Sequence, residues 1–202
     1  MKIRLLTAAV LLIIAFIVSD CGTLGYHGPG SPSDPVVVLE TSEGNIFIKL
    51  FRKEAPIGVE NFLQYVREGF YDGLIFHRVI DGFIIQGGGY DEQLQERQTH
   101  DPIPNEATNG LRNLRATVTY ARTDDISSAT SQFFINLKNN RTLDHRSNTP
   151  RGYGYAVFGK VVRGMAVADN IGKVRTVMKN GMQNVPAVPI VIKKAFIFEP
   201  EH

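Results

Sequence analysis

Between Tyr71 and Gly89 the chain reads YDGLIFHRVIDGFIIQGGG: two short apolar runs, Leu74–Ile80 and Phe83–Gln86, joined by Asp81-Gly82. An Asp-Gly pair between apolar runs is a strong signal for two strands returning on each other. The Ile, Val and Phe of these runs suit a pleated, half-buried surface. Into that setting the sequence puts Arg78 and Gln86. Arginine is seldom buried without a partner, and an apolar surface carrying a few aimed polar groups is how ligand pockets are composed. A plainer reading stands beside this one: Arg78 as a surface residue or half of a structural ion pair, and Gln86 as a solvent-facing strand residue. Gly87-Gly88-Gly89 is not followed by a helix opening on Lys-Ser/Thr, so a bulge or close-packed turn is expected rather than a phosphate loop.

Around this hairpin, Val36–Leu39 and Ile46–Phe51 flank Ser42-Glu43-Gly44-Asn45 and predict a second one. Ile46, Ile48 and Leu50 alternate with Phe47, Lys49 and Phe51, so polarity alone does not say which face points inward. Pro56–Glu68 carries Val59, Phe62, Leu63 and Val66 at helical spacing and ends at Gly69, which predicts a helix with a core-facing stripe. Further strands are expected at Ala116–Ala121, Gln132–Leu137, Tyr155–Val161, Val174–Met178 and Ile190–Phe198, and a short helix over Met165–Ile171. Tyr90–Gly110, Thr123–Thr130 and Asn139–Tyr153 read as loops. The pattern predicts a mainly β fold: a closed eight-stranded antiparallel barrel capped by two α-helices, an arrangement that also disposes of sheet edges.

The first residues read differently. Lys2 and Arg4 precede Leu5–Val18, a run broken only by Thr7. That is short for a membrane span and typical of a signal peptide. Residues 1–20 are therefore assigned as a signal peptide, 21–35 as a flexible Gly/Pro-rich tether, and 36–202 as the folded domain. Cys21 stands where a bacterial lipoprotein would be cleaved and lipidated, although Asp20 departs from the small residue expected before it. Lipoprotein, cleaved soluble protein and uncleaved anchor all stay open. Each exports the domain, to the bacterial periplasm or cell envelope. Cys21 is the only cysteine, which excludes an intramolecular disulfide. A net charge of +2, with no basic run interleaved with aromatics, gives no case for nucleic acid.

The run Tyr71-x-x-Leu74-x-Phe76-His77-Arg78-Val79-Ile80-x-x-Phe83-Ile84-x-Gln86-Gly87 resembles the signature of cyclophilin-type peptidyl-prolyl isomerases. Asn105-Glu106-Ala107, Ser131-Gln132-Phe133-Phe134-Ile135, Leu143-Asp144 and Val157-Phe158-Gly159-Lys160-Val161 follow in that family's order. The likeness runs from about Val36 to Phe198, in the style of the compact bacterial branch. It implies an enzyme that speeds cis-trans exchange of X-Pro bonds in unfolded or nascent polypeptides, as a monomer and with no cofactor or metal. By resemblance Arg78, Gln86 and Phe83 are the catalytic residues. Phe83, Ile84, Phe134 and Leu143 would line a well for the proline ring, with Tyr155 at its edge. Gln86 would hold a substrate carbonyl or orient Arg78, and Gln132 would line a neighbouring subsite. Ala121-Arg122 would offer main-chain groups, so their side chains should matter little.

The chain departs from the best-known cyclophilins at three of these places. Thr142 stands where a rim aromatic is frequent, which implies weak cyclosporin binding. Tyr155 replaces a common histidine, and Ile84 a common methionine. The His145–Tyr153 loop looks longer than usual. The five histidines show no metal-ligand spacing, and His77, inside an apolar run, is expected to be a hydrogen-bonded core residue. The competing function is a proline-peptide-binding chaperone or docking module, with isomerase activity incidental.

Overall fold

A computed structural model describes residues 34–199; the signal peptide, Cys21 and nearly all of the tether lie outside the described residues. The elements follow the order β1 (Val36–Thr41), β2 (Gly44–Leu50), α1 (Pro56–Arg67), β3 (Arg78–Ile80), β4 (Ile84–Gly87), β5 (Thr117–Tyr120), β6 (Phe133–Asn136), β7 (Val157–Arg163), α2 (Met165–Gly172), β8 (Thr176–Lys179), β9 (Met182–Pro186) and β10 (Ile192–Ile197). Eight strands form one antiparallel sheet in the order β10-β1-β2-β7-β5-β6-β4-β3.

The expected closed barrel needs correcting. β3 and β10 are the two ends of a curled half-barrel and do not pair as strands. What spans the seam is the segment before β3: Gly73 and Phe76 donate to the Ile192 and Ile190 carbonyls, and Ile192 donates to Leu74. Leu74–Ile80 is therefore not one strand. Its first half crosses to the far edge, and only Arg78–Ile80 continues along β4. Val174–Met178 also differs from expectation. It becomes β8 of a separate two-stranded sheet whose partner, β9, lies in a stretch without apolar alternation.

Strand alternation sorts the side chains. Ile46, Ile48 and Leu50 point inward on β2, which settles the face that polarity left open. Val79, Ile85, Val118, Phe133 and Ile135 join them in the core. Helix α1 packs the predicted stripe of Val59, Phe62, Leu63 and Val66, together with Tyr65, into this interior. The Phe62 ring lies 5.1 to 5.5 Å from those of Tyr71, Phe133 and Phe158. The α1 N-terminus has no local side-chain cap. Glu106 supplies one from a distant loop, its carboxylate accepting from the Ile57 and Gly58 N–H groups at 3.1 and 2.7 Å. A negative group there offsets the exposed donors of a first helical turn.

Candidate active site

The residues alternate with the core positions and so stand on the outer face of the curled sheet. In the β3–β4 pair Arg78 lies directly opposite Gln86, and Gln86 lies opposite Phe134 of β6. The Arg78 Nη1 group donates to Gln86 Oε1 at 3.1 Å, and Gln86 Nε2 donates to Gln132 Oε1 at 3.1 Å. None of the salt bridges among the described residues involves Arg78. The ion-pair reading of this arginine therefore falls.

A hollow of about 420 Å³ opens on this face, lined by Arg78, Phe83, Ile84, Gln86, Ala121, Arg122, Phe134, Leu143 and Tyr155. Nine of the ten pocket residues expected from the sequence meet there. The tenth, Gln132, lies beside it and lines two adjoining hollows. Phe134 and Tyr155 meet edge to face at 5.9 Å between ring centroids.

Comparison with known proteins gives the family. Residues 36–196 match the family model described as cyclophilin type peptidyl-prolyl cis-trans isomerase. The chain belongs to the cyclophilin-type isomerase family. It is 49% identical over 201 residues to peptidyl-prolyl cis-trans isomerase A of Dickeya dadantii, covering 98% of this chain and 100% of that one. It is 56% identical over 161 residues to the isomerase cyp18 of Streptomyces antibioticus, covering 80% and 97%. A Cryptosporidium parvum cyclophilin crystallised in the presence of the dipeptide Ala-Pro superposes with a TM-score of 0.67 at 24% identity, covering 82% and 99%, which speaks to the fold.

Two expectations within this cyclophilin site change. Arg122 does not merely lend its main chain. Its Nε donates to Gly154 O at 2.9 Å, Nη2 to Pro150 O at 2.6 Å and Nη1 to Thr123 O at 2.7 Å, while its guanidinium lies 4.9 Å over the Tyr155 ring. The side chain thus pins the long loop against the pocket rim. The neighbouring Ala121 N–H is already taken by the Gln132 carbonyl. His77 is buried as expected, but its Nδ1 lacks the expected hydrogen bond, and the ring packs against Tyr90 at 4.7 Å. Burial, reinforced by the adjacent Arg78 charge, pushes its pKa down to about 4.

The residues that hold Leu143 and Phe83 escaped sequence reasoning. Asn113, Thr119, Asn136 and Asn140 are all buried. Asn136 donates to Thr117 and Thr119 hydroxyls, Asn140 to Asn136 Oδ1 and Phe83 O, and Asn113 to Leu143 O. Asp144 accepts from the Asn113 N–H at 2.7 Å. Buried polar groups that are fully paired rigidify what they join, and here they join β5 and β6 to the turn carrying Leu143. The only available signal was asparagine inside or beside strand-like runs, where it is otherwise disfavoured. The triple glycine is a close-packed turn, as expected. A Cβ on Gly87 would sit 2.9 Å from Ile75 O, and Gly88 has φ +86°.

Proposed function

We propose that this cyclophilin is a peptidyl-prolyl cis-trans isomerase acting on X-Pro bonds of exported or newly folding proteins. One observation carries the reading: a guanidinium with no carboxylate partner, steadied by Gln86, lies on the wall of a hollow made of Phe83, Ile84, Phe134 and Leu143. The names of the bacterial relatives support the same activity.

The X-Pro bond turns slowly because amide resonance sets a barrier of about 18–20 kcal/mol. Midway through rotation the amide is twisted, resonance is lost, and the proline nitrogen gains a lone pair. The apolar wall holds the ring. Arg78 then offers N–H donors to the nitrogen that has become an acceptor only in the twisted state. A donor that gains strength only there lowers the barrier without tightening ground-state binding. No covalent bond to the protein forms or breaks, so no nucleophile or proton acceptor is required. Gln86 serves by orientation, since it already accepts from Arg78.

The test is exchange NMR on a short Xaa-Pro peptide. The wild-type domain should speed exchange, and Arg78→Ala should lose roughly 3–4 kcal/mol of transition-state stabilisation, about a hundred- to thousandfold in kcat/KM. Shifts on binding without faster exchange in the wild type would instead make the site a docking module. The leader supports an exported location, with Cys21 as a lipid-bearing N-terminus. The intact mass of the mature protein from the producing cell distinguishes lipidation at Cys21 from simple cleavage.

A further inference from the structure

The proline hollow gives no role to the β8–β9 hairpin. That hairpin belongs to no part of the eight-stranded sheet, yet it is firmly fastened. Val185 is buried with Ile75 and Leu94 in a small core of its own, and Tyr90, Met182 and Val191 pack around it. What this second core holds in place is a wall. Met182, Gln183 and Asn184 form one side of a hollow of about 390 Å³ whose other side includes Arg78 and Gln86. Because those two residues line both hollows, a peptide with its proline in the first lays a nearby residue at the second.

The chemistry of this second hollow is specific. His77 also lines it and is 6% exposed. Gln132 also lines it and uses its amide oxygen to accept from Gln86. Gln183 and Asn184 add two more amides. No carboxylate is among the lining residues, and the nearest one, Glu96, is engaged by the Tyr90 hydroxyl on the wall. A lysine or arginine of the substrate would meet the like charge of Arg78 on the wall itself. An acidic residue would draw the Arg78 guanidinium off the proline amide. An uncharged donor-acceptor group can satisfy the amides at neither cost.

We propose that this hollow is a specificity subsite, which takes an uncharged hydrogen-bonding side chain (Asn, Gln, Ser or Thr) from a residue a few positions from the proline, with Gln183 and Asn184 reading it. The proposal rests on the isomerase reading above. Its test is a peptide series in which each of the three positions on either side of the proline is in turn Gln, Ala or Lys, assayed by exchange NMR. The proteins are wild type and the double variant Gln183→Ala, Asn184→Gly. Glycine is chosen because Asn184 has φ 61°, a left-handed conformation glycine accepts freely.

In the wild type, one position should favour Gln over Lys by about fivefold or more in kcat/KM, the worth of about one hydrogen bond. In the variant that ratio should fall to about one. Ratios between peptides are compared within each protein, so a general loss of activity cancels. The subsite is overturned if peptides are turned over but no position discriminates, or if discrimination survives the double variant. If the wild type turns over no peptide at all, the isomerase reading fails, and this proposal fails with it.

Discussion

The role proposed for Arg78 needs a guanidinium that is charged, oriented and left unneutralised, and its neighbour across the strands is an amide and not a carboxylate. Orientation is the part lysine cannot copy, since its ammonium is a point charge on a flexible stem. Arg78→Lys should therefore keep substrate affinity within about threefold and lose roughly tenfold or more in kcat, read from exchange NMR at saturating peptide. The next residue offers a stability test. His77 is held neutral by burial, with its pKa at about 4 against an ordinary 6.5. Below pH 6.5 the unfolded chain takes up a proton that the folded chain refuses until about pH 4. Its contribution is therefore full above pH 6.5 and is lost as pH falls toward 4, amounting to roughly 2 kcal/mol by about pH 5. Urea unfolding at about pH 8 and pH 5 should show this loss, and His77→Gln should reduce it.

At the level of elements, the loop after the Arg141–Leu143 turn is closed by its own contacts. Arg146 and Ser147 donate to Gly152 O, Tyr155 donates to Leu143 O, and His145 Nδ1 lies 2.8 Å from Tyr153 O. Gly154, at φ +81°, passes so near the backbone of residues 143–145 that a Cβ would sit 2.6 Å from His145 N. Arg122 ties the middle and end of this loop, at Pro150 and Gly154, to the Tyr155 ring. Arg122→Ala should raise KM by about five- to tenfold while changing kcat less, and should speed amide exchange across residues 146–154. Arg122→Lys should not restore it, because one ammonium cannot span the Gly154 and Pro150 carbonyls as a planar fork does. The motif Asn105-Glu106-Ala107 was legible as a pattern. Its purpose as a distant cap for α1 was not, because the partner sits nearly fifty residues away.

Across the whole molecule, the site and the core lie on opposite faces of one sheet. Phe62 packs inside against three aromatic rings, and the Arg78–Gln86–Phe134 row stands outside. Stability and catalysis should therefore separate. Phe62→Ala should cost about 3–5 kcal/mol of unfolding free energy in urea titration. At low temperature, where the variant is still folded, its kcat/KM should stay within about threefold of wild type. The half-barrel seam behaves differently. It is spanned by only a few main-chain bonds between residues 73–76 and 190–192, so hydrogen exchange should find it among the first parts of the sheet to open.

Local pattern by itself determined the hairpin at Asp81-Gly82, the stripe of α1 and most strands of the sheet, while the ordered motifs, through their family resemblance, pointed to the pocket residues. Each of these is a matter of period, turn chemistry or ordered motif within a short window. Tertiary structure alone decided that the sheet stops short of a full barrel, that β8 lies outside it, and that Arg122 grips a loop. It also decided that four buried polar residues, Asn113, Thr119, Asn136 and Asn140, brace Leu143 and Phe83. Those outcomes depend on which distant carbonyl, ring or edge arrives beside a given side chain. Contact between segments well separated along the chain leaves no periodicity for a reader to find.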